Sequence, residues 1–145
     1  MTQVFAFEGP EIEALQWMPF EVRRKLDLSG VKLSLSAWEA MPLAARRELL
    51  STPIDAAADV PRYHALALRL GQAAGKVEPQ PPVPFEERPW LRGDAVFARV
   101  RALGLSLDEA RWGGLPDLAR YALHRLADPK KSQDKLRAAL AELVT

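Results

Sequence analysis

The sequence predicts an all-α protein built from two tandem copies of one helical unit. One segment is written twice, from Val22 to Arg46 and from Val96 to Arg120, and the copies align without a gap. Apolar residues recur at helical spacing, with proline at predicted helix starts and glycine at predicted ends. The sequence contains no convincing run of alternating apolar residues of the kind that indicates a sheet. Together these observations favour helices over strands throughout.

The repeat is defined by positions that carry the same or a similar residue in both copies. Glycine, tryptophan, proline and arginine are all among them, and chance rarely aligns these together. The copies extend over residues 19–53 and 94–129, and residues 76–90 form the linker, all within a single compact helical domain of residues 1–145. The matched pairs are Val22/Val96, Lys25/Arg99, Leu26/Val100, Gly30/Gly104, Leu33/Leu107, Trp38/Trp112, Met41/Leu115, Pro42/Pro116, Ala45/Ala119 and Arg46/Arg120.

Each copy is predicted to form a helix, a turn, a short helix and a second long helix. The first helix ends at Gly30, because glycine enters the left-handed cap conformation cheaply. A short apolar connector then leads to the helix that carries Trp38, for which Ser34 or Ser36 supplies the N-cap. The amphipathic helix over 43–50 follows. The second copy repeats this order after its own first helix.

Helices are also predicted outside the matched segment. Residues 60–75 form one between the copies, with a proline near its start and a glycine at its end. Residues 132–144 form the C-terminal helix, which begins at a serine cap. At the other end of the chain, residues 2–7 are β-branched and aromatic and favour an extended conformation, and Pro10 opens a short helix.

The stretch between the copies is rich in proline. It reads VEPQPPVPFEERP from Val77 to Pro89, which is unsuited to a helix or a central strand and favours polyproline II. We interpret it as a spacer. A docked recognition segment leading to Trp90 is the alternative.

Composition excludes several classes of protein. The formal net charge of +1 argues against nucleic acid and membrane surfaces as default partners. The absence of cysteine excludes disulfides, thiolate metal sites and cysteine nucleophiles in this chain. Apolar stretches are too short for a membrane span, and the N-terminus does not resemble a signal peptide. A cytoplasmic location is expected.

No pattern of catalytic or metal-binding residues is apparent. His64 and His124 are the only histidines, and they lie far apart without the spacing of a metal site. Neither a nucleophile elbow nor a phosphate loop is present. We therefore expect no metal, no cofactor and no enzymatic activity.

The tryptophans and the basic residues are the remaining candidates for function. Trp38 and Trp112 lie at a fixed distance from a capping glycine among apolar residues, which is typical of core side chains. The matched basic pairs suggest an architectural role, either an ion pair or a helix C-cap. Basic residues that differ between the copies, Arg24 and Lys32, are better candidates for a partner surface. We expect charge reversal at either position to weaken binding and leave stability nearly unchanged.

The segment MPFEVRRKLDLSGVKLSLSAWEAMP resembles the signature of the small nitrate reductase-associated proteins of cyanobacteria and proteobacteria. The resemblance implies a protein that supports production of active assimilatory nitrate reductase, a molybdenum and Fe–S enzyme. It transfers no catalytic residue, but it makes the charged signature positions candidates for partner contact. The residues that carry it are Pro19, Val22, Arg23, Lys25, Leu26, Asp27, Gly30, Lys32, Leu33 and Trp38.

The sequence thus leads to a non-enzymatic accessory or maturation factor that binds nitrate reductase or its apo form. A small nucleic-acid-binding regulator and an anion sensor for nitrate are the alternatives, of which nucleic acid is the less favoured partner. The oligomeric state stays open. Partner contacts are expected from Arg23, Arg24, Lys25, Asp27 and Lys32. Structural roles are expected for Gly30, Trp38, Pro42, Arg46, Gly104, Trp112, Pro116 and Arg120.

Overall fold

Helices dominate the computed structural model, which describes residues 4–144. The all-α prediction is confirmed, with a two-stranded antiparallel sheet as a small addition. The strands are Val31–Leu33 (β1) and Val77–Pro79 (β2). The helices in the described residues are Phe20–Ser29 (α1), Leu35–Ala40 (α2), Leu43–Ser51 (α3), Val60–Ala74 (α4), Asp94–Ala102 (α5), Glu109–Gly113 (α6), Asp117–Leu126 (α7) and Gln133–Leu143 (α8).

The chain divides into two compact units, one ending at Arg88 and the other beginning at Pro89. Unit 1 contains α1 to α4 with both strands, and unit 2 contains α5 to α8. Each unit therefore holds one copy of the repeated segment and the helix that follows it.

Corresponding helices of the two copies begin at the same offset in the sequence. The pairs α1/α5, α2/α6 and α3/α7 each start 74 residues apart (94 − 20, 109 − 35 and 117 − 43). Their caps correspond as well, because Ser34 accepts a hydrogen bond from the Ala37 amide and Asp108 accepts one from the Ala110 amide. The tandem duplication itself stays a prediction from the sequence. The structure adds that both copies form helices at the same places.

Gly30 and Gly104 both have the left-handed conformation that the sequence predicted. Their φ angles are 75° and 72°. At Gly30 the amide also donates to the Leu26 carbonyl and closes α1. The left-handed conformation is sterically strained for a residue with a side chain, so each glycine fixes the point where its helix ends.

The core of unit 1 forms where α4 packs against α1, α2, α3 and β1. Val22 of α1, Trp38 of α2, Leu49 of α3 and Tyr63 of α4 are all completely buried. The Tyr63 hydroxyl donates to the Leu49 carbonyl over 2.8 Å, so this buried polar group is satisfied. One helix thus covers all three helices of the first copy.

The proline-rich segment is docked on unit 1 over much of its length, which differs from the spacer interpretation. Its first residues form β2, which pairs with β1 in the register Val31↔Pro79 and Leu33↔Val77. The Gln80 amide then donates to the Gly30 carbonyl. Proline tolerates an edge strand because the missing amide hydrogen points away from the partner. We call residues 77–83 the strap.

The strap continues as far as the last turn of α1. The Val83 amide donates to the Asp27 carbonyl over 2.9 Å, and the Gln80 side chain donates to the Val31 carbonyl. These bonds satisfy backbone carbonyls at the end of α1 and along β1 that have no hydrogen-bond donor within the helix. The strap therefore holds the end of α1 and β1, both of which belong to the segment that carries the resemblance.

The core of unit 2 is built on α7, which packs against α8, α5 and the turn Pro89–Leu91. Trp90 in that turn is buried, and its indole N–H donates to the Asp117 carboxylate over 2.9 Å. Its ring meets the Tyr121 ring edge-on at 4.8 Å. Trp90 thereby anchors the start of unit 2 at the start of α7.

The N-terminal segment forms a short 3-10 turn where an extended run was expected, and the short helix expected at Pro10 is a 3-10 helix. Residues 2 and 3 of that run lie outside the described residues. The turn Ala6–Glu8 is closed by the Glu8 carboxylate, which accepts the amides of Phe5 and Phe20, each over 2.8 Å. Pro10 opens the next turn, Pro10–Ile12. The hydrogen bond between Glu8 and the start of α1 explains why this segment forms a turn although its residues favour an extended conformation.

Replacing Gly30 with alanine is expected to destabilise unit 1 by about 3 kcal/mol, through left-handed strain and overpacking. The added Cβ would lie 2.9 Å from the Gln80 carbonyl oxygen and 3.1 Å from Pro82. Gly104→Ala is the matched control, since nothing lies within 4 Å of its added Cβ. It should cost unit 2 only about 1 kcal/mol. Hydrogen exchange followed separately in each unit measures both, and equal losses would contradict the role of the strap.

Candidate partner interface

Trp38 and Arg46 meet at a single backbone carbonyl in unit 1. The Leu15 carbonyl accepts the Trp38 indole N–H over 2.9 Å and the Arg46 guanidinium over 3.1 Å. Leu15 has a φ of 58°, the one positive value among the described residues other than glycine. This conformation costs about 1 kcal/mol or more in a branched residue. The two hydrogen bonds hold it in place.

Arg46 also caps α2. Its guanidinium donates to the Glu39 carbonyl over 2.7 Å and to the Met41 carbonyl over 3.1 Å. These carbonyls lie at or just after the last turn of α2, where helical partners run out. The guanidinium lies 6.0 Å from the centre of the Trp38 ring, within range of a cation–π contact. Of the two roles suggested for the matched arginines, the helix C-cap is the one found.

Arg120 makes two of the corresponding contacts in unit 2. It donates to the Gly113 carbonyl over 2.6 Å, and its guanidinium lies 5.7 Å from the Trp112 ring centre. Gly113 follows Trp112 directly, as Glu39 follows Trp38. The pair of a tryptophan and a capping arginine thus holds the short helix against the next long helix in both copies. Pro42 and Pro116 occupy the N-cap positions of those long helices.

A buried cluster of charges lies on the inner face of α1. The Arg24 guanidinium contacts the Glu21 carboxylate at 2.6 Å, and the Lys25 ammonium lies 3.7 Å from the same oxygen. The exposed fractions are 9 % for Glu21, 6 % for Arg24 and 1 % for Lys25. Charges are seldom buried this far unless they are paired and hydrogen-bonded. The mutual pairing within one helix meets that requirement.

Lys25 connects α1 to the end of α3. Its ammonium group donates to the Leu50 and Thr52 carbonyls, each over 2.7 Å, and lies 5.3 Å from the centre of the Tyr63 ring. Both carbonyls belong to the end of α3, where a cation is favoured by the helix dipole. Burial lowers the pKa of Lys25 to about 8, and the Glu21 carboxylate opposes that shift.

The residues expected to contact a partner therefore separate into two groups. Arg24 and Lys25 are buried inside unit 1, so the expectation that they line a partner surface is corrected by their position. Arg23 and Asp27 are half-buried, and Lys32 is exposed on β1. Charge reversal at Arg24 would place a second carboxylate beside Glu21, and so it would destabilise the fold. Partner contact by Arg23, Asp27 and Lys32 stays a prediction.

Three large apolar side chains in the described part of unit 1 are exposed, and none of them was predicted to be functional. They are Trp17, Leu35 and Leu43, with exposed fractions of 48 %, 40 % and 42 %. We call these three residues the apolar rim. Trp17 lies two residues after Leu15. The Leu15 carbonyl is the one that accepts hydrogen bonds from Trp38 and Arg46. Leu35 lies one helical turn before Trp38, and Leu43 lies one helical turn before Arg46. Each residue of the rim is therefore close in sequence to one of the three residues that meet at the Leu15 carbonyl.

The two leucines of the apolar rim are specific to the first copy. At the same offset, the second copy has Glu109 in place of Leu35 and Asp117 in place of Leu43. Acidic residues are favourable in the first turn of a helix, and both positions begin one. Leucine there lacks this favourable interaction with the helix dipole and leaves apolar surface in water. Exposed apolar and aromatic side chains of this kind are enriched in protein interfaces.

The two histidines belong to different units. The His64 ring nitrogen Nδ1 hydrogen-bonds the Ser29 carbonyl over 2.6 Å in unit 1, and His124 belongs to unit 2. Within residues 4–144 no group of three or more histidine, aspartate and glutamate residues is placed to hold a metal ion. Over the same residues, every helix is too short or too polar to span a bilayer.

Comparison with known proteins identifies one family. The sequence model of the conserved nitrate reductase-associated proteins matches residues 4–143. No curated protein and no solved structure shows significant similarity to the chain.

The depressed pKa of Lys25 makes the stability of unit 1 depend on pH. Between pH 8 and pH 10 the unfolded chain holds a proton on Lys25 that the folded chain has lost, so stability rises with pH. The gain should be about 2 kcal/mol. Above pH 10 the pKa of Tyr63, raised by burial, reverses the trend, since the folded chain then retains the extra proton. Urea unfolding across this pH range measures the effect.

Lys25→Met should abolish the rise in stability between pH 8 and pH 10. Lys32→Met is the matched control because the same side chain is replaced at an exposed position. An unchanged rise in Lys25→Met would show that another group titrates, and a rise lost in both variants would assign it to charge in general.

Proposed function

Since the chain belongs to the family of conserved nitrate reductase-associated proteins, we propose that it is an accessory protein that binds assimilatory nitrate reductase. In this proposal it supports production of the active enzyme and catalyses no reaction itself. The match over residues 4–143 is the observation that carries the proposal. The family name speaks of association with the reductase, and the binding step and its role in maturation are our inference.

The use of the buried charges supports a scaffold rather than an active site. Arg24 and Lys25 both contact Glu21, and Lys25 also donates to backbone carbonyls at the end of α3. The Arg46 guanidinium likewise donates hydrogen bonds to backbone carbonyls. Groups engaged in this way hold helices in fixed positions. A rigid helical surface is suited to holding an immature form of a larger enzyme.

The apolar rim and Lys32 are the features of unit 1 best suited to contact the reductase. Tryptophan is among the residues that contribute most binding energy at interfaces, and Trp17 exposes about half of its surface. Lys32 is the exposed basic residue of the signature, and the second copy has Ser106 in its place. Leu35, Leu43 and Lys32 distinguish the first copy from the second, as expected of a function added to a shared framework.

Binding and support of maturation are tested separately. A pull-down with purified nitrate reductase, in holo and apo form, tests binding. Reductase activity in a strain that lacks this protein tests support, and full activity in that strain would overturn the proposal. Binding without any loss of activity in that strain would reduce the role to association alone.

The alternative functions give different results. A nucleic-acid-binding regulator would shift duplex DNA or RNA in a gel, and the shift would weaken steeply with salt. An anion sensor would release or absorb heat on titration with nitrate or nitrite. Either result without reductase binding would favour that alternative.

The variant Leu35→Glu/Leu43→Asp gives the first copy the residues of the second copy at these positions. We expect it to weaken reductase binding by about tenfold or more, because apolar contact area is lost. Its stability should be retained or slightly raised, since both acids stand at helix starts. Gln133→Glu at the exposed start of α8 is the control that adds an acid elsewhere. Unchanged binding by the double variant would exclude the rim from the interface.

Lys32→Ser removes the exposed signature charge and reproduces the second copy at that position. Lys32 stands opposite Glu78 in the strand pair, so serine avoids the repulsion that glutamate would create there. We expect weaker reductase binding with greater loss at low salt, where charges act most strongly, and a free energy of unfolding within about 0.5 kcal/mol of the wild type. A large loss of stability would instead give Lys32 a structural role.

A further inference from the structure

Unit 2 contains a groove of about 700 Å³ between α5 and the end of α7. Its floor on α5 is formed by Ala95, Ala98 and Ala102, all of which are exposed. The three alanines follow each other at helical spacing, so they form one continuous apolar face. The opposite wall comes from the last turn of α7 and the residues after it, through Lys131.

The corresponding face of α1 in unit 1 is covered by a helix. At the same offset, Glu21, Arg24 and Leu28 replace the three alanines, and all are buried. The helix α4 packs against α1, and its Tyr63 and His64 hydrogen-bond backbone carbonyls of α3 and α1. The segment before α4 also contributes, because the Ile54 carbonyl accepts a hydrogen bond from Arg24. The first copy therefore provides a template: this face of the framework accepts an α-helix.

The groove in unit 2 carries a positive charge. Arg99, Arg125 and Lys131 line it, and Asp128 is the one carboxylate among its lining residues. Asp128 already accepts the Lys130 amide over 2.9 Å. Of the ion pairs formed within residues 4–144, none involves these three cations. Their charge is therefore available to a bound molecule.

From the exposed alanine face, the helix-covered counterpart in unit 1 and the three basic side chains, we infer that this groove binds an acidic amphipathic α-helix of a partner protein. Small side chains on α5 let the axis of a second helix come close, toward the short end of the usual 8–10 Å spacing. The apolar face of the bound helix covers the alanines, and its flanking glutamates or aspartates reach the basic side chains. The helix α4 of unit 1 is not such an acidic helix, because it carries Arg62 and Arg69 and contains no glutamate or aspartate.

The probe for this inference is a 15-residue helical peptide with alanine and leucine on one face and glutamate on the flanking positions. The full-length protein, labelled with ¹⁵N, is titrated with the peptide and observed by NMR. We expect shifts confined to the amides of α5, the end of α7 and the residues up to Lys131, with an affinity that falls as salt is added. A peptide with lysine in place of each glutamate should bind at least tenfold more weakly.

Two variants test the geometry and the charge. Ala98→Arg, which places the residue of the first copy in the groove, should abolish peptide binding, and the NMR spectrum reports whether the fold is kept. Lys131→Glu should reduce the affinity several-fold, while Lys135→Glu, an exposed change on α8, should not.

Four outcomes would overturn the inference. They are equal binding of the two peptides, shifts outside the groove, the same shifts on concentrating the protein without peptide, and no binding at about 1 mM peptide, a weak affinity. The inference does not depend on nitrate reductase, because the peptide titration and the reductase pull-down can fail independently of each other.

Discussion

The arrangement of unit 1 depends on one buried ammonium group. Lys25 lies on α1, donates to two carbonyls at the end of α3 and faces the Tyr63 ring of α4. Removing a charge from water costs several kcal/mol, and the paired carboxylate of Glu21 with two short hydrogen bonds offsets much of that cost. Because the donors must reach both carbonyls at once, the end of α3 has little freedom to move against α1.

The two copies share a framework and differ on its faces. Both units share the left-handed glycine, the short helix with its tryptophan, and an arginine that donates to the carbonyl of the residue after that tryptophan. What covers the framework is different: unit 1 has α4 and the strap, and unit 2 has α8 and an open alanine face. A framework that holds its own short helices in place allows the outer faces to change without loss of the fold.

Local signals made the helices and the glycine turns predictable from the sequence, because each depends on residues within a few positions. For the matched arginines the sequence left an ion pair and a helix C-cap open. Lys25 was assigned to the surface because charged side chains usually lie there, and its burial depends on carbonyls 25 and 27 residues away. The strap was missed for a similar reason, since strand pairing of Val31 with Pro79 leaves no local pattern. The apolar rim did have a signal, namely leucines at positions where the second copy has acids.

The strap also sets the order in which the protein can fold during its synthesis. Unit 1 receives its second strand only from residues 77–79, and its last strap bond runs from Val83 back to Asp27. A nascent chain that has released only the first copy from the ribosome therefore leaves β1 with an unpaired edge, which is prone to pairing with other chains. Protection of this edge arrives with the strap, before the second copy has emerged from the ribosome.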